Sequence, residues 1–217
     1  MMVNSKLLIN FEKHIKGNFW LYIISVFCIC IGVIVGIYTV NHMGNLDENN
    51  LLSYLKNFTN SITLGNISYK SILIETVKNN FPLIIAIWFL GVTIVGIPII
   101  LIIDILKGFT LGFTMTFMIN GLGMKGMGLS ILMVLPQNFI YVPCIIISSV
   151  IAMEFSLMLL KDKVSRQWTS NIGSKIATYS FTFIFITIIM CLGFILESYL
   201  TPNIVRLLVK NIGSISV

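Results

Sequence analysis

The sequence predicts an all-α, polytopic integral membrane protein of about five transmembrane helices. Some of these are kinked or broken, and short amphipathic surface helices occupy the first outer loop. Three observations predict this. Apolar residues make up 57% of the 217 and charged residues only 10%, whereas soluble domains are about a quarter charged. The apolar residues gather into runs near the roughly 20 that an α-helix needs to cross a bilayer. Glycines, prolines and side-chain amides punctuate those runs, as in helices broken inside a membrane. A single membrane domain over 1–217 is expected, with spans at 19–40, 82–103, 105–120, 139–160 and 176–199.

The first span, 19–40, follows a basic start like that of a signal peptide. Its apolar run exceeds the roughly 15-residue limit of such a leader and lacks a small-residue cleavage site, so it reads as retained. Trp20, Tyr22 and Tyr38 suit the two interfaces. Residues 41–80 form the long polar, extracytoplasmic loop. Within it Leu51, Leu55, Phe58 and Ile62 share one helical face behind the capping candidate Asp47. A second amphipathic stretch, Tyr69, Ile72, Leu73, Thr76 and Val77, is expected on the membrane surface, with Asn80 capping the next helix and Pro82 in that helix's first turn.

Span 82–103 carries a kink at Gly96–Pro98, where proline removes a backbone donor. Asp104 and Lys107 stand three residues apart at its end and can meet on one helical face. The plainer reading of Asp104 is an interfacial ion pair with Lys107; the sharper one is a partner-binding or ion-pathway charge. Span 105–120 is short for a bilayer and calls for tight packing or local thinning. Residues 129–135 read as a half-helix or elbow ended by Pro136, with Gln137 and Asn138 satisfying freed backbone groups or a neighbouring helix. Whether this elbow is structural or a polar docking point stays open. Span 139–160 is expected to bend near Pro143, and span 176–199 completes the set.

Charge sets the orientation. Lys6, Lys13 and Lys16 precede the first span, and Lys161, Lys163, Arg166 and Lys175 fill the loop before the last. By the positive-inside rule both regions are cytoplasmic, so the C-terminus is extracytoplasmic. The 14 basic residues are scattered between apolar runs, which argues against nucleic acid as a partner despite the net charge of +6.

Chemistry has no visible carriers. His14 and His42 flank the first span and cannot meet, and no nucleophile–base, phosphate-loop or zinc motif is present, so no catalytic, cofactor-binding or metal residues are assigned and no enzyme is expected. Cys28, Cys30, Cys144 and Cys191 read as buried free thiols. Glu154 and Glu197 are intramembrane carboxylates close to span ends, where snorkelling suffices. The pairs Gly91/Gly96 and Gly108/Gly112 permit close helix contact, within the chain or between copies of a homo-oligomer.

The segments WFLGVTIVGIPIILIIDILKGFTLGFTMTF (88–117) and VLPQNFIYVP (134–143) together resemble the stage II sporulation protein M family of endospore-forming bacteria. The specific part is a G-x-P kink, an acidic residue, K-G-F-x-x-G-F and then L-P-Q-N. Wider relatives often carry His-Gly where this chain has Gln137 and Asn138, so these two residues resemble the sporulation branch. The resemblance implies a non-enzymatic scaffold in the mother-cell membrane, at the septum and the engulfing membrane. It would anchor and localise the peptidoglycan hydrolases of the engulfment complex, stage II sporulation proteins D and P, in cell wall remodelling. A transporter or permease-like subunit is the alternative, and it requires a continuous polar path through Asp104, Asn120 and Gln137.

Overall fold

The computed structural model describes residues 15–44, 53, 69–164 and 172–213. Among the described residues five long helices follow one another: α1, Phe19–Asn41; α2, Tyr69–Gly91; α3, Gly96–Gly121; α4, Gly126–Val164; and α5, Ile172–Gly213. Each contains a stretch long and apolar enough to cross a membrane. Large rings face outward on several of them, with Trp20 75%, Phe139 84% and Phe181 74% exposed. In water such a surface would aggregate, whereas in lipid it is the expected exterior.

The spans fall in register differently from the sequence expectation, for local reasons. The kink expected at Gly96–Pro98 is a helix start. The chain leaves α2 at Gly91, turns through 92–95 and re-enters at Gly96. A Cβ on Gly96 would overlap the Leu90 carbonyl, so the turn needs glycine there. Thr93 donates its backbone N–H to Leu90 at 2.9 Å and its hydroxyl to the same carbonyl at 2.7 Å. Pro98 then lies in the first turn of α3, where a missing N–H costs no helical bond. The expected spans 82–103 and 105–120 thereby become Ile72–Gly91 and Gly96–Gly121. The 26 residues of α3 cover about 39 Å, so this helix is not short for a bilayer.

Two further expectations are corrected. Asn80 does not cap a new helix: its side-chain amide donates to the Thr76 carbonyl at 3.0 Å, and Tyr69–Val77 is the first part of α2 with Pro82 in its interior. Residues 129–135 are not a half-helix, because α4 runs through both Pro136 and Pro143. The reversal comes earlier, at Gly123, whose φ of 60° and ψ of −139° suit only a residue without Cβ. Asn138 does satisfy backbone, donating to the Val134 carbonyl at 2.7 Å.

Helix association inside lipid depends on close packing and polar links more than on hydrophobic transfer. Both are present. Gly108 and Gly112 of α3 press against the Ile29 and Val33 carbonyls of α1, while Gly32 and Gly36 of α1 press back on Ile105 and Phe109; a Cβ at any of the four would collide with backbone. Around Ile87, Ile100, Ile145, Val150, Met153 and Met190, α2 to α5 form the main core. The Tyr179 hydroxyl donates to the Trp88 carbonyl at 2.9 Å and Trp88 Nε1 to Ser180 at 3.2 Å, tying α5 to α2. All four cysteines are free thiols; Cys28 and Cys144 are buried as expected, but Cys30 and Cys191 lie on the exterior.

Candidate functional site

Asp104 and Lys107 do not pair. Asp104 is completely buried, and its carboxylate accepts hydrogen bonds from the Ser25 hydroxyl of α1 at 2.6 Å and the Ser149 hydroxyl of α4 at 2.7 Å. Nor is it interfacial: eight residues of α3 precede it, about 12 Å of helix. A carboxyl at that depth needs partners for both oxygens, and two hydroxyls from two different helices supply them. The centre is thereby a sealed three-helix clasp.

Lys107 points away from it, into a cleft of about 300 Å³ walled by α2, α3 and α4 and reached by Glu197 from α5. Its ammonium donates to Asn80 Oδ1 at 3.2 Å and lies 5.6 Å from the centroid of the Tyr141 ring. The Tyr141 hydroxyl donates to Glu197 Oε2 at 2.7 Å, and the Thr76 hydroxyl faces the same carboxylate. Gln137 and Asn138 line the same cleft. Because a helix places residues three apart about 60° from alignment, Asp104 and Lys107 serve different neighbours.

Of the residues singled out from sequence, the cleft therefore gathers Asn80, Lys107, Gln137, Asn138 and Glu197. Gly108 and Gly112 lie behind it against α1, Gly96 and Pro98 begin α3, and Pro136 and Pro143 are exposed on α4. The amphipathic face Leu51, Leu55, Phe58 and Ile62 lies outside the described residues. The polar path required of a transporter is not formed as drawn. Asp104 is held by Ser25 and Ser149, Asn120 donates to Asn41 at 3.1 Å at the far end of α1, and Gln137 opens onto the separate cleft.

The sequence did not point to Ser25, Ser149 or Tyr141, and it offered Asn80 only as a helix cap, not as the acceptor for Lys107. Serines within apolar runs carry no signal of their own until a carboxylate is known to face them. Gly32 and Gly36 could have been found, since they repeat the four-residue spacing of Gly108 and Gly112.

Bundle, sealed carboxylate and polar cleft define a polytopic helical membrane protein with ionisable groups inside its membrane-spanning part. The family model of Stage II sporulation protein M matches residues 25–202, and the chain belongs to that family. It is a sporulation-related membrane protein. Comparison with curated proteins and with solved structures gave no match.

Proposed function

We propose that this chain is a non-enzymatic scaffold of endospore formation. In this reading it anchors and localises the peptidoglycan-degrading stage II sporulation proteins D and P while the mother cell engulfs the forespore. The family match over 25–202 is the observation that carries the reading. Lys161 and Lys175 line one pocket with Asn18 at the start of α1, and Lys16 and Lys163 neighbour these residues in sequence, which supports a cytoplasmic N-terminus. The segment between α1 and α2 and the C-terminus then face the wall. The dry clasp at Asp104 supports a scaffold over a permease, because a carrier needs its polar groups on one connected route.

The test is co-purification from engulfing cells with the chain tagged at its N-terminus. Wild type is compared with Gln137→Ala plus Asn138→Leu at matched membrane levels. Both hydrolases are expected with wild type; recovery of neither would overturn the scaffold role. Loss in the double variant alone would make the amides part of the docking surface. Photocrosslinkers at Leu51 and Phe58 test the outer loop separately.

A further inference from the structure

The Lys107 cleft has a charge arrangement that the scaffold reading leaves unused. An ammonium from α3 and a carboxylate from α5 both border it, close enough to feel each other's charge, yet they do not form an ion pair with each other. Each is only partly occupied. An ammonium has three donors and a carboxylate about four acceptor positions. Lys107 uses one donor on Asn80, and Glu197 accepts the Tyr141 hydroxyl with Thr76 beside it. The Gln137 side chain, which also lines the cleft, makes no hydrogen bond among the described residues. Spare hydrogen-bonding capacity on two opposite charges beside open space inside a bilayer favours a polar ligand there.

Complementarity identifies its chemistry. A ligand that answers both charges at once carries a negative and a positive group a few ångströms apart. A polar side chain from another helix would answer one of them only. Leu83, Leu106 and Leu111 line the same cleft and give it an apolar side suited to an acyl chain. Its volume of about 300 Å³ takes a headgroup but not two fatty chains, which must lie along the outside of the bundle. We propose that the cleft binds the headgroup of a phospholipid with a free amine, of the ethanolamine type, Lys107 holding the phosphate and Glu197 the ammonium. A choline headgroup cannot donate hydrogen bonds to Glu197, and a glycerol headgroup leaves that carboxylate without a counter-charge. Lys107 stands about 16 Å along α3 from Gly96, and Thr114, on the cleft wall, about 10 Å further. A headgroup held between them sits below the ordinary interface, and the membrane thins locally around it.

The proposal does not depend on the scaffold reading, and its test needs no partner enzyme. The full-length chain is placed in nanodiscs with equal amounts of phosphatidylethanolamine, phosphatidylglycerol and phosphatidylcholine, and retained lipid is counted by native mass spectrometry. Phosphatidylethanolamine is expected to be retained about tenfold over either other lipid, the worth of one charge-assisted hydrogen bond. Lys107→Met and Glu197→Gln should each remove that preference. Equal retention of all three lipids, a preference for phosphatidylglycerol, or an unchanged preference in both variants would overturn it. A wild-type measurement guards against misfolded variants: phosphatidylethanolamine carrying a photoreactive group beside its glycerol should label residues within 79–83, 107–114 and 134–141. Labelling confined to the bundle ends counts against the site. Complete displacement by millimolar phosphoethanolamine would reassign it to a soluble zwitterion.

Discussion

Asp104 and Lys107 are one helical turn apart on α3, yet they sit in opposite surroundings. Asp104 is enclosed where α1, α3 and α4 meet, with both carboxylate oxygens bonded to serines. Lys107 borders a cleft about 300 Å³ in volume, with an amide, an aromatic face and a nearby carboxylate around it. Glycine accounts for much of the contrast. Gly108 and Gly112 let α1 lie against one side of α3 and bring Ser25 to Asp104. On the other side α2 and α4 stand apart enough to leave a cavity. A buried charge that is satisfied holds a bundle together, whereas one that is half-satisfied beside open space is available for binding.

Four measurements would break or sharpen this contrast. The largest effect is expected from Gly108→Leu, which drives a side chain into the Ile29 carbonyl and pushes α1 off α3. A loss of about 3 kcal/mol or more, read as SDS-induced unfolding or a lowered Tm, is the expectation; a variant as stable as wild type would mean that α1 is not clamped there. Next comes Asp104→Ala, which strips both serine hydroxyls of their acceptor and should cost about 2 kcal/mol. Asp104→Asn should recover roughly half of that, because an amide still accepts one of the two bonds.

Lys107→Met should change stability by less than about 1 kcal/mol, since it removes one long bond at the edge of a cleft. A cost equal to that of Asp104→Ala would show the two sites to be alike. The mildest probe is chemical. With the four native cysteines replaced, Gln137→Cys should react with a small hydrophilic maleimide while Ser149→Cys, buried beside Asp104, should not. Equal labelling would place both residues in the same kind of environment.

Much of this molecule was legible as sequence. Spans at 19–40 and 176–199 stand within a few residues of α1 and the membrane-spanning part of α5, because long uninterrupted apolar runs leave few registers open. The small-residue interface at Gly108 and Gly112 was also visible, since the four-residue spacing has one physical use in such a helix. The middle of the chain was not legible in the same way. Proline reads as a breaker, yet Pro82, Pro136 and Pro143 lie inside helices while the reversals occur at 92–95 and at Gly123. In a membrane bundle the neighbours and nearby polar side chains can satisfy the backbone groups that proline frees, so local propensity alone does not mark the breaks.

Composition and hydropathy were sufficient for the class of protein and for five crossings, because the bilayer imposes length and polarity on each segment independently. Which charge is sealed and which is open could not be read that way. That outcome depends on Ser25 and Asp104, 79 residues apart, and on Tyr141 and Glu197, 56 apart, meeting at the same depth. Contacts of that separation are set by how helices approach and rotate against each other, and that information lies in the packing of the whole bundle.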